Sequence, residues 1–148
     1  MKSNDSIEFF GEILMRRFRD KAIDSHLLYQ NPDFKDKDPL HAYVVSLDEA
    51  TQQRILLLIM QAISAGMHDF LYALANDEEV SHRIKVLVDG QDVVNICRDG
   101  LNAEVEGGGD DGWESRYSKY PSSNETLVKM GLANNYLDNL KLPFGPWQ

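Results

Sequence analysis

The sequence predicts an α+β fold: an N-terminal helix and a long central helix packed on a small antiparallel sheet and closed by a C-terminal helix, in a single domain over residues 1–148. Three observations predict it. Apolar residues recur at helical spacing from Leu47 to Leu74, the longest periodic run in the chain. A β-branched run, Ile84-Lys85-Val86-Leu87-Val88, precedes Asp89-Gly90 and a second apolar run, the strongest short-range hairpin signal. The length of 148 residues matches one domain, and a hydrophobic fraction of 43% is enough for one core.

The first helix is expected from about residue 5 to about residue 24. Asp5 with Glu8 forms a capping box, and Ile7, Phe10, Leu14 and Phe18, with Ile13, recur at three and four spacing. Its other face carries Arg16, Arg17, Arg19 and Lys21, a solvated cluster suited to the negative end of the helix dipole. Residues 30–40, with two prolines and alternating charge, read as a loop. Ser46-Leu47-Asp48-Glu49 is a second capping box, with Val45 placed to staple against Ala50, and it opens the central helix, which runs to about Ala75. A break at Ser64-Ala65-Gly66 and an unbroken helix both fit this pattern.

After residue 79 the period becomes strand-like. Residues 84–88 and 93–96 are expected to pair across Asp89-Gly90, although Asp92 could instead cap a short helix, so residues 92–98 stay open between strand and helix. Asp99-Gly100 then leads to a third strand at 101–105, and the alternation of Trp113, Ser115, Tyr117 and Lys119 suggests a short strand after the glycine loop. Ser122-Ser123-Asn124-Glu125 opens a last helix through Leu127, Val128, Met130, Leu132, Tyr136, Leu137 and Leu140. Pro143 and Pro146 keep the tail non-helical, with Phe144 and Trp147 packed back on the body.

The net charge of -9 is unevenly placed. Residues 76–114 hold 11 acids against Arg83, Lys85 and Arg98, a balance of -8, whereas residues 115–148 stand at +2. Such a segment repels nucleic acid and anionic membranes and steers a basic partner toward itself. The longest uninterrupted apolar run, Ile55 to Met60, falls far short of a bilayer span, so no membrane association is expected. The lone Cys97 excludes an internal disulfide, and the acids Asp5, Glu8 and Glu12 do not suit a signal peptide. Both point to a cytoplasmic protein.

No pair among His26, His41, His68 and His82 has the clip spacing of a zinc site, so neither metal nor cofactor is expected. His68 and Asp69 are the catalytic candidates, because polar side chains on a long apolar helix need partners, and a carboxylate such as Glu79 could complete them. Cys97 sits in an apolar run and reads as buried and structural. The stretch EVEGGGDDGWESRYSKYP (104–121) lacks the lysine of a phosphate loop, and its acids do not keep the register of a calcium loop. What it offers is Asp110 and Asp111 beside Trp113, Tyr117 and Tyr120, a charged rim with aromatics, which is the chemistry of a protein interface.

The stretches HDFLYAL (68–74), IKVLVDGQDVV (84–94) and GWESRYSKYP (112–121) resemble a family of small, uncharacterised bacterial proteins, a resemblance that implies no activity. In size and acidity the chain is also similar, at class level, to immunity proteins that neutralise bacterial toxins. The expectation is a non-catalytic, immunity-like protein that presents its acidic 77–114 surface to a basic partner. The alternatives are a small enzyme or ligand-binding domain built on His68 and Asp69, and a homodimer formed through the long apolar helix.

Overall fold

The computed structural model describes residues 3–106 and 111–122. Its first element is longer than expected. Helix α1 (Ser3–Ile13), a π-helical turn (Leu14–Arg19) and α2 (Asp20–Tyr29) follow one another without leaving the right-handed helical region, making one helical run to Tyr29. In the π turn the Asp20 N–H bonds to the Met15 carbonyl, five residues back rather than four. That widened turn lets consecutive residues, Arg19 and Asp20, both face inward. Arg19 is therefore not part of the solvated face expected for it.

The expected loop at 30–40 holds more order than its prolines suggest. A 3₁₀ turn (Pro32–Phe34) is followed by α3 (Pro39–Ser46), whose cap is Asp38, accepting from the Leu40 and His41 N–H groups, with Pro39 at the first helical position. Ser46 accordingly ends a helix instead of opening one. Asp48 caps the central helix α4 (Glu49–Asn76), accepting from Thr51 N at 2.9 Å and Thr51 Oγ1 at 2.6 Å. Helix α4 is unbroken at Gly66. It is also long and apolar enough, by length and composition, to cross a membrane, a test that a core helix passes as well. Counting uninterrupted apolar residues misses this, because isolated glutamines and serines interrupt the run without lowering its mean much.

Asp77 then caps a short helix, α5 (Glu78–Arg83), by accepting from Val80 N. The hairpin is present but minimal: β1 (Leu87–Val88) pairs antiparallel with β2 (Gln91–Asp92), Val88 opposite Gln91. Asp89 and Gly90 take φ of 49° and 77°, the paired positive values a two-residue hairpin turn of this type requires. Past Asp92 the chain turns helical, in α6 (Val93–Ile96), α7 (Leu101–Glu106) and α8 (Trp113–Tyr117), so the strand expected at 93–96 is the short helix that was its alternative, and the third and fourth expected strands are helices too. In α7, Leu101 and Val105 are four apart and both fully buried, the pairing of one helix face.

The fold is α+β in the coarse sense of a helical body with one two-stranded sheet. The expected C-terminal helix and the packed-back tail lie outside the described residues. Helix α4 packs on α2, α5 and α7, and α1 packs on α6 and α8. Ile7, Met15, Met67, Leu71, Leu74, Val93, Cys97, Leu101, Val105 and Trp113 form the core. Trp113 sits against Gly11, where any Cβ would fall inside the indole, and meets Phe10 edge-on at 6.1 Å and 80°.

Candidate functional site

The residues singled out from sequence are dispersed. His68 is half-buried and Asp69 is exposed; they meet at 3.3 Å, and His68 Nε2 lies 3.3 Å from Asn102 Nδ2. Glu79 belongs to α5, where it holds Arg83 at 3.4 Å, and no hydrogen bond or ion pair joins it to His68 or Asp69. The three do not form a constellation in which a base, an acid and a reacting atom could meet. Among the described residues no three of His, Cys, Asp and Glu gather to hold a metal.

The interface candidates divide. Asp111 is exposed and Asp110 lies outside the described residues. Trp113 has no exposed surface and cannot anchor a rigidly bound partner. Tyr117 and Tyr120 are half-buried and spend their hydroxyls on the protein itself, donating to Glu8 Oε2 and Asp24 Oδ1, each at 2.5 Å. Burial, then the bond to the carboxylate, pushes both phenols above their ordinary range.

Sequence reasoning missed a buried polar cluster among the described residues. Arg19 is fully buried, its Nε donating to Glu114 Oε1 at 3.2 Å, and Ser64 of α4 donates to the same oxygen. The rest of the guanidinium donates to Ser118 Oγ at 2.5 Å and to the Pro121 carbonyl at 2.9 Å. Asp20, buried beside it, accepts from Ser118 Oγ at 2.5 Å and from Lys119 N at 3.1 Å. A signal for this was present: Arg19 falls four residues after Met15 and four before Ile23, both fully buried, which places a cation on an apolar stripe.

Two members of the cluster, Asp20 and Ser118, line a cleft of about 550 Å³ between α2 with the π turn on one side and the end of α8 on the other. Arg16, Arg17 and Lys21 line one wall, Arg116 and Lys119 the other, with Asp20, Asp24, Tyr117 and Ser118. Asp24 accepts from Lys119 Nζ at 2.7 Å, and that bond, followed by the one from Tyr120, holds its carboxyl below the usual carboxylate range. Arg116 is paired with Glu8 at 2.9 Å and Arg16 with Glu12 at 2.9 Å, both outside the lining.

A second segment is rich in acids. Asp77, Glu78, Glu79, Asp89 and Asp99 are exposed over 77–99, as are the cations Arg83, Lys85 and Arg98, and Ile84 and Leu87 are 46% and 62% exposed. No protein-family model, curated protein or solved structure matches this chain. Function is therefore read from these two surfaces.

Proposed function

We propose that the protein is a non-catalytic, protein-binding molecule of the immunity type, which presents the acidic surface of α5 and the hairpin to a basic partner. One observation carries this: five exposed acids, against the three exposed cations Arg83, Lys85 and Arg98, share the segment 77–99 with two exposed aliphatic side chains, Ile84 and Leu87. Acids of that density speed encounter with a cationic protein, and an apolar residue set among charges supplies the contact that water cannot replace. Ile84 and Leu87 take the anchoring role that the buried Trp113 cannot fill. Glu114, although part of the acidic segment, faces Arg19 and contributes nothing to that surface.

The test is affinity capture with the full chain beside two variants, Glu78→Gln/Glu79→Gln and Leu87→Ser. A basic protein retained by the native chain, released at high salt, and retained at least about tenfold less by both variants is the expected result. Equal retention by all three chains refutes the assignment. So does a retained protein that is indifferent to salt.

A second reading, a homodimer, is favoured by a different feature. An apolar groove of about 310 Å³ runs between the first helical run and α4, lined by Leu14, Phe18, Gly66, Met67, Phe70 and Leu71. Phe18 and Phe70 are more than half exposed there. Sedimentation velocity across a concentration series distinguishes the two: a dimer lost on Phe70→Ser supports self-association, and a monomer at the highest soluble concentration removes it.

A further inference from the structure

The cationic cleft asks for an explanation that neither the acidic surface nor helix electrostatics supplies. A run of cations near a helix C-terminus is ordinarily explained by the dipole, whose influence fades within the last turn. Here the helix continues to Tyr29, so Arg16 and Arg17 stand in its middle, more than two turns from the end. The π turn and α2 place Arg16, Arg17, Asp20, Lys21 and Asp24 on one wall, and α8 brings Arg116 and Lys119 opposite. Two basic segments about 100 positions apart in sequence thus converge in a chain whose net charge is -9.

Five cations line the cleft against two acids, and one of those acids, Asp20, has only 6% of its side chain exposed and is occupied by Ser118 and the Lys119 N–H. The internal ion pairs of the cleft are the exchangeable kind. Arg16, Lys21 and Lys119 keep 60%, 64% and 56% of their side chains exposed, and pairs so exposed are worth about 0–1 kcal/mol. Arg17 has no acidic partner among the described residues. Arginines can move from a carboxylate to a phosphate with no loss of geometry, since both accept the same forked pair of donors.

We propose that this cleft binds a small polyphosphorylated anion. The ligand carries at least two phosphates because five cations, drawn from both walls, line the space and a single phosphate cannot pair with all of them. The bonds from Arg19 to Glu114 and Ser118, and from Lys119 N to Asp20, fix the π turn against α8, while the exposed cations turn from Glu12, Glu8 and Asp24 to the ligand. A volume of about 550 Å³ falls within the range of small-molecule sites.

The probe is inorganic tripolyphosphate, titrated calorimetrically into the full chain at about 50 mM salt, where screening is modest. Saturable one-site binding is expected, weakened at least about tenfold by Arg17→Glu and by Arg16→Gln/Arg17→Gln, and unchanged by Lys85→Glu on the hairpin segment. Arg17 is exposed and has no acidic partner among the described residues, and the Arg16–Glu12 pair is solvent-exposed, so these variants keep the native circular dichroism. Monophosphate should bind at least about tenfold more weakly than tripolyphosphate. No saturable binding, equal weakening by Lys85→Glu, or tighter binding of a single-stranded oligonucleotide than of tripolyphosphate each overturns the assignment.

Discussion

Two glycines in helices show how the same residue type answers to opposite constraints. Gly11 faces the indole of Trp113, and a methyl group there would occupy the ring's own volume. Gly66, in mid-α4, has open space around the position of its missing Cβ. Gly11→Ala should therefore destabilise the protein by about 1–3 kcal/mol through overpacking, with Trp113 fluorescence shifted as the ring moves. Gly66→Ala should stabilise it by about 0.5–1 kcal/mol, because only backbone freedom is removed. Urea unfolding of both variants checks the pair. Neither sign can be read from sequence, where the pattern around Gly66 fits a broken and an unbroken helix alike and nothing near Gly11 points to the indole it meets.

At the scale of elements, the buried Arg19–Glu114 pair joins the π turn to α8, and Ser64 ties α4 to the same carboxylate. Arg19→Ala leaves Glu114 buried without its cation and should cost about 3–5 kcal/mol in chemical denaturation. Arg19→Met with Glu114→Leu removes both charges and should recover part of that loss. An additive loss in the double variant would show that the two groups do not act as a pair. The long elements were legible because their signal is summed over many residues: the stripe from Ile55 to Leu74 and the Asp-Gly turn both stand in the structure, while Leu47 falls outside the helix as the extended residue after α3. The short ones were not. Between residues 93 and 117 each element spans four to six residues, too few to tell alternation from a helix face. Trp113 and Tyr117 illustrate this, sharing one side under either reading; tertiary packing against Gly11 and Phe10 decides for the helix. The candidate site was less legible still, since it assembles Arg16 with Lys119 and Arg19 with Glu114 across about 100 positions that no local pattern connects.

For the whole molecule, acidity of the medium should act in one direction through two kinds of group. Burial lowers the pKa of His26 from 6.5, so the unfolded chain takes up that proton first as pH falls. Its contribution to stability is complete above pH 6.5 and is lost as pH falls toward the folded value. Asp38, Asp48 and Asp24 are also lowered, from 3.8, by the His41 N–H, by Thr51 and by Lys119 respectively. Their contribution is complete above the unfolded value and disappears as pH falls through the lower folded values. Stability measured by urea unfolding should thus hold level between about pH 7 and 8, decline gently below 6.5, and fall more steeply below about pH 4. His26→Gln should abolish the upper step and leave the lower one, whereas Asp48→Asn should shrink the lower step alone. Both carboxylate caps stand at the starts of helices, so circular dichroism should lose helix signal in the lower window and not in the upper one. Stability that rises between pH 6.5 and 5 would contradict the sign assigned to His26, since a neutral ring held by burial can only be disfavoured by added protons.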